Sequence, residues 1–268
     1  MSSPFDELAA GVYRRRYASL DLNVGVVVGA DGVLIVDSRA SHSQARELRD
    51  ELADLTELPV HWVVNTHWHW DHVFGNAMFP EARLWGQREC RNHLIEHGEE
   101  EKAAALKSVG PEHAHQIDEV VVTPPEYVVG TARAIDLGGR TVTLEHMGLG
   151  HTNSDLVVTV SDAPVLFAGD LLEEGAPPCF GDGYPMAWPE TVDRLRDRIR
   201  GVVVPGHGDV MAAADVTTQH EELTAVARAC ADALATGRFD PTAGPYPQDT
   251  MLEAWERAKL EFDGRVEE

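Results

Sequence analysis

Four of the six residues from His67 to His72 carry side chains that bind metal ions. They are His67, His69, Asp71 and His72, in the run Thr66-His67-Trp68-His69-Trp70-Asp71-His72. Imidazole and carboxylate ligands without thiolate suit Zn²⁺, with iron or manganese as alternatives. In an extended segment, positions 67 and 69 face one way. Asp71 and His72 lie past the turn into the next element and face a neighbouring point, so one short segment can feed two adjacent metal positions. Three further candidates sit beside glycine: His151 in Gly150-His151-Thr152, Asp170 in Phe167-Ala168-Gly169-Asp170, and His207 in Pro205-Gly206-His207-Gly208. Glycine lets backbone approach closely at each. Five His and two Asp suffice for two ions about 3.5 Å apart with one shared carboxylate. Coordination left open for water makes the set catalytic rather than structural.

Positioning these residues falls to short apolar runs. Val60 to Val64 reads as a buried strand that delivers the His67 segment at its carboxyl end, where α/β proteins place ligand sites. Val165 to Ala168 delivers Asp170, and Val202 to Val204 delivers His207. Leu22 to Val28 and Val33 to Val36 form two strands around a Gly29-Ala30-Asp31-Gly32 turn. Ser41 and Gln44 have capping spacing ahead of Ala45, Leu48, Leu52 and Leu55, a helix stopped by Pro59. Gln87 to about Lys107 predicts a long polar helix. Ala134 to Leu137 and Thr141 to His146 flank Gly138-Gly139 as a hairpin, and Leu156 to Val160 pairs with Val165 to Ala168. Residues 171–188 read as a loop. Pro189 opens a helix with Val192, Leu195 and Ile199 on one face. Thr218 and Glu221 are expected to cap a helix to about Ala235, and a last short helix lies near Met251 to Leu260. Two halves, each of strands then helices, fit an α/β protein with two helix-covered sheets.

The series His67-x-His69-x-Asp71-His72, then His151, Asp170 and His207 in that order, resembles the metallo-β-lactamase-fold hydrolases over about residues 20–210. The resemblance implies an αββα four-layer sandwich with metals at one edge. The whole chain, 1–268, is expected to form one domain, with a core of about 20–235 and a helical tail over 236–268. By the same resemblance His67, His69 and His151 would hold a first zinc. Asp71, His72 and His207 would hold a second, and Asp170 would bridge. Asp170 stands where the class B β-lactamases carry Cys, and matches the glyoxalase II and lactonase branches. The implied reaction is hydrolysis of a small-molecule ester, thioester, lactone or lactam by a metal-bound hydroxide. Asp71 and His72 are the residues assigned to catalysis, with Asp71 orienting that hydroxide. The family also contains iron redox enzymes, such as persulfide dioxygenases, and phosphodiesterases; these are the alternative readings. Thr152 and Asp37 are expected to support ligands by hydrogen bonds.

Substrate contacts are expected from aromatic residues flanking the motifs: Trp68, Trp70, Phe180, Tyr184 and Trp188. His93 and His97, and His113 and His115, read as solvated residues. Arg14 to Arg16 reads as a solvated edge, and Cys179 has no assignable base.

Composition narrows the partners. The 268 residues carry 22 Lys+Arg against 45 Asp+Glu, a formal charge of −23. Polyphosphate and anionic lipid need clustered basic residues, so a small-molecule substrate is expected rather than nucleic acid or membrane. No stretch approaches 18 apolar residues, and the N-terminal residues lack a signal-peptide core. Three widely spaced cysteines, Cys90, Cys179 and Cys230, form no disulfide framework. These features predict a cytoplasmic protein; the oligomeric state is left open.

Overall fold

Burial along the strands sorts their side chains onto two opposite faces, and that sorting builds the architecture. The structure, a computed structural model, describes residues 3–264. In chain order the first half comprises β1 (Asp6–Ala9), β2 (Val12–Tyr17), β3 (Leu22–Val28), β4 (Val33–Val36), α1 (His42–Leu55), β5 (Val60–Val64), α2 (Trp70–Val73), β6 (Arg83–Gln87), α3 (Arg88–Ser108), α4 (Ala114–Asp118) and β7 (Tyr127–Val129). The second comprises β8 (Ala132–Asp136), β9 (Thr141–Glu145), β10 (Val157–Val160), β11 (Val165–Glu173), α5 (Trp188–Arg196), β12 (Val202–His207), α6 (Ala213–Thr236) and α7 (Gln248–Phe262).

Hydrogen bonding links the strands in the order β7-β6-β5-β4-β3-β12-β11-β10-β9-β8, with β2 also on β3 and β1 on β2. A single residue pair, His207 with Leu22, joins the halves at β3 and β12. Leu34, Val36, Trp62 and Val64 of one half share a buried cluster with Leu144, Val158, Val165, Phe167 and Val204 of the other. Their neighbours point outward, as the two-residue strand period requires. Val33, Ile35 and Val63 pack on Ala45, Leu48 and Leu52 of α1. Leu166, Ala168 and Val203 pack beneath α5, α6 and α7. Helix, sheet, sheet, helix is the αββα sandwich. Gly25 makes room between the sheets: a Cβ there would lie 2.5 Å from the Phe167 ring.

Local signals placed most elements. Ser41 caps α1 and accepts from Gln44 N, and β3, β4 and β5 have the bounds expected. Four departures have tertiary causes. Residues 171–173 are strand rather than loop, because β11 runs on parallel to β12 until Glu173 pairs with His207. Thr218 and Glu221 do not cap α6. That helix starts at Ala213, where Asp215 accepts from Ala212 N, and the Thr218 hydroxyl donates within the helix to Ala214 O. Arg14 to Arg16 are not a solvated edge but lie in β2, between β1 and β3. Arg14 is 8% exposed and pairs with Asp6 and Asp209, Arg15 with Glu51, and Arg16 with Asp21. Finally, β6 and β7, only five and three residues long, extend the first sheet by pairing parallel on β5 and β6.

Among the described residues no helix is long and apolar enough to cross a membrane.

Candidate metal centre

The strand ends converge where expected. The turn at Trp70 into α2 separates the His67 segment into two sets. One ligand atom each from His67, His69, His151 and Asp170 lies within 4.8 Å of the others, and the same holds for Asp71, His72 and His207. Asp170 lies between the two sets. Its carboxylate oxygens are 3.8 Å from His67 Nε2, 3.5 Å from His151 Nε2, 3.2 Å from His72 Nε2 and 3.3 Å from His207 Nε2. His67, His72, His151 and Asp170 are buried at the floor, while His69, Asp71 and His207 are part-exposed at the rim. Reactants therefore approach from the rim.

Each imidazole has one nitrogen turned outward onto an acceptor. His72 Nδ1 donates to Asp37 Oδ2 at 2.9 Å, and His207 Nδ1 to Leu20 O at 2.7 Å. His151 Nδ1 donates to Cys179 O at 3.3 Å, and His69 Nε2 to Asp182 Oδ2 at 3.2 Å. The Thr66 hydroxyl donates to Asp37 Oδ2, so its oxygen accepts from His67 Nδ1 at 3.0 Å. A neutral imidazole whose outer nitrogen carries the hydrogen presents a lone pair on the inner one. With all five rings neutral, five lone pairs would face inward beside two carboxylates. His67 Nε2 and His69 Nδ1 lie 3.0 Å apart, His69 Nδ1 and His151 Nε2 2.8 Å, and His72 Nε2 and His207 Nε2 3.3 Å.

Lone pairs this close repel, and Asp170 Oδ1 is buried without a hydrogen-bond partner. Divalent cations would satisfy all of these atoms at once, so the donor set fits two of them.

Electrostatics divide the rings: His67 and His151 are lowered, whereas carboxylates overcome burial to raise His69, His72 and His207. Burial pushes the His67 and His151 imidazoles down, His151 to about 3, which keeps both neutral and able to ligate. Burial also works against His72 and His207, but the Asp170 and Asp71 charges outweigh it and hold both up. Burial would raise Asp71, yet His72 and His207 bring it to about 2. Carboxylates thus attract positive charge into the centre, whether as protons or as metal.

Several residues differ from the sequence expectation. Phe180 and Trp188 are not pocket walls: both are fully buried in the core under α5 and α7, and Trp188 Nε1 donates to Leu171 O. Tyr184 is 4% exposed and Trp68 5% exposed. Trp68 stacks on His93 at 3.7 Å, so His93 belongs to a packed face rather than a solvated one. Of the five aromatic residues, Trp70 alone stays part-exposed. Thr152 bonds Asp155 and Ser154 rather than a ligand, and burial lifts Asp155 to about 7. Cys179 contributes its carbonyl, not its thiol. Asp37 does more than expected, supporting His72 directly and His67 through Thr66.

Sequence reasoning missed Asp182, Leu20 and Glu173. The first two act from distant loops and carry no motif. Glu173 follows Asp170 in β11 and brings a carboxylate within 4.8 Å of the Asp170 and His207 ligand atoms. Burial first, then the Asp170 charge, lift its carboxyl well above the usual range.

Gly206 shows how tightly the centre is framed. A Cβ there would overlap Asp170 Oδ1. Gly206→Ala should therefore displace the shared carboxylate and weaken metal binding at least about tenfold while the fold persists. Zinc titration alongside circular dichroism checks this.

Comparison with known proteins agrees with this geometry. Residues 20–207 match the family model described as "Metallo-beta-lactamase superfamily". A metallo-beta-lactamase type 2 from Bacteroides fragilis is 22% identical over 189 residues, covering 69% of this chain and 68% of that protein. A linear primary-alkylsulfatase from Pseudomonas sp. (strain ATCC 19151) is 22% identical over 246 residues, covering 78% of this chain but only 44% of its own length. Among solved structures, a metallo-beta-lactamase from Pontibacter korlensis superposes with a TM-score of 0.65 at 19% identity, covering 82% of this chain and 98% of that one. TMB-1 gives 0.65 at 18% identity, covering 82% and 96%. With the matched stretch running from just before β3 to His207 itself, the chain belongs to the metallo-β-lactamase superfamily.

Proposed function

We propose that the protein is a dinuclear zinc hydrolase that cleaves a small-molecule ester, thioester, lactone or lactam. One observation carries this reading: five inward imidazole nitrogens and two carboxylates form two adjoining sets with Asp170 between them. His67, His69 and His151 would hold one ion, and Asp71, His72 and His207 the other, with Asp170 between. Zinc bound there would supply a Lewis acid for a carbonyl and a water of lowered pKa.

The chain's own residues do the rest. Asp37, Thr66, Leu20, Asp182 and Cys179 O fix the ring orientations. Asp71, at the rim, is placed to accept a hydrogen bond from the attacking water and hold it in line. Trp70 forms one wall of a cavity of about 610 Å³ that also involves Leu20, Arg39, Val109 and Ile117. Leu20 and Trp70 each adjoin the centre, the first through its carbonyl on His207. That size suits a small molecule. A net charge of −23 supports such a substrate over nucleic acid. Three free cysteines support a reducing, cytoplasmic setting.

Purified protein should contain close to two zinc per chain by elemental analysis. It should turn over at least one member of a panel of thioesters, esters, lactones and β-lactams. Iron with O₂ consumption, or turnover of an alkyl sulfate or phosphodiester alone, would replace this reading.

A further inference from the structure

Two of the five imidazoles take their orientation from one loop. His69 Nε2 donates to Asp182, and His151 Nδ1 to Cys179 O. That loop, residues 174–187, has no regular structure to hold it. It is tied instead to α7, which lies beyond the family match at residues 20–207. Glu253, Arg257 and Glu261 recur every four residues and so share one face of α7. Each bonds loop backbone. Glu253 accepts from Phe180 N at 2.9 Å, and Glu261 accepts from Met186 N at 2.8 Å. Arg257 donates to Asp182 O at 3.0 Å and to Gly183 O at 3.1 Å. On the neighbouring face, Met251, Ala254 and Ala258 are fully buried in the core under the second sheet. The two alanines bring the helix close enough for those side chains to reach.

The rings of His67, His72 and His207 are not oriented by the 179–186 stretch that α7 holds, although Glu174 N, at the loop's start, donates to His207 O at 3.2 Å. Asp37, Thr66 and Leu20 hold them from the other side of the site. We infer that α7 is a positioning element for the first metal position alone. Through Arg257, Glu253 and Glu261 it sets the loop whose Asp182 and Cys179 O orient His69 and His151. This rests on the two-metal reading above.

The test is zinc titration against a chromophoric chelator on the full chain. Wild type, Arg257→Met, Asp182→Ala and the double variant are compared, with Lys259→Ala as control. Lys259 is also on α7, with its ammonium on Glu256 and over the Trp255 ring of the same helix. The expected result is two zinc equivalents in wild type and Lys259→Ala. Arg257→Met and Asp182→Ala should each loosen one equivalent about tenfold or more and leave the other unchanged. The double variant should lose less than the sum of the two singles, since Arg257 acts in part through the Asp182 contact. Equal weakening of both equivalents, no weakening, or additive losses would overturn the inference. If circular dichroism shows Arg257→Met unfolded, Arg257→Lys, which keeps one donor, takes its place under the same criteria. Fewer than two equivalents in wild type would overturn the two-metal reading itself, and this inference with it.

Discussion

Replacing Asp170 by alanine should remove both zinc equivalents together and lower hydrolysis by about 10³-fold or more, the scale seen when a main electrostatic contributor is deleted. The Asp170 carboxylate lies between the two sets, with oxygens 3.2–3.8 Å from four imidazole nitrogens. Burial opposes the Asp170 charge, but His72, His207 and His67 outweigh it and hold the carboxyl well below its usual range. Without that carboxylate the buried imidazoles around it can shed their protons instead of being left as unpaired charges, so the fold should stand. The readout is a pair of melting curves. In chelator, parent and variant should melt within a few degrees of each other. With zinc at about a thousand times the Kd of each site, the parent should gain about 8 kcal/mol, about 4 from each of the two sites. That amounts to roughly 16–32 °C in a chain of this size, and the variant should gain none of it. Retention of either zinc equivalent by the variant would show that Asp170 does not bridge.

Asp37→Asn should be the more instructive loss, because it alters no ligand. Asp37 ends β4 with φ at +68°, a conformation that Asp and Asn adopt more readily than most residues. Its Oδ1 accepts from Thr66 N at 2.8 Å, and its Oδ2 accepts from both the Thr66 hydroxyl and His72 Nδ1. An amide that keeps the Thr66 N bond places an NH₂ where Oδ2 was. His72 Nδ1 must then accept, which moves the ring hydrogen to Nε2 and points it into the site. The Thr66 hydroxyl, now receiving a hydrogen bond from the amide, turns its own hydrogen to His67 Nδ1, with the same consequence there. One isosteric change thus costs each metal position a lone pair. Zinc affinity should fall about 10- to 100-fold at both positions, and turnover by about 10²-fold or more, with a native circular dichroism spectrum. Asp37→Ala should in addition destabilise the fold by about 2 kcal/mol or more, since it strands buried donors and puts Ala at a positive φ. Unchanged zinc affinity in the Asn variant would separate Asp37 from the centre.

The chain itself contains both the ligands and the strands that carry them. Extended alternation, the turn at Trp70 and the glycines beside His151, Asp170 and His207 are local properties, so period and spacing are enough to read them. The same holds for β3, β4, β5 and α1, whose apolar period and cap lie within one segment. What escaped was decided by contacts between residues far apart in sequence. Whether Phe180 and Trp188 wall a pocket or fill a core depends on α5 and α7 closing over them, and an aromatic residue in a loop looks the same in either case. Arg14 to Arg16 read as surface because their partners, Asp6, Asp21, Glu51 and Asp209, meet them only once β2 has paired. The acceptors that set each ring's tautomer, Leu20 O, Cys179 O, Asp37 and Asp182, include two backbone carbonyls, and a carbonyl has no residue type to recognise. Sequence thus determined which atoms can hold metal. Tertiary structure alone determined which nitrogen of each imidazole faces inward, because that hydrogen goes to whichever acceptor the fold places behind the ring.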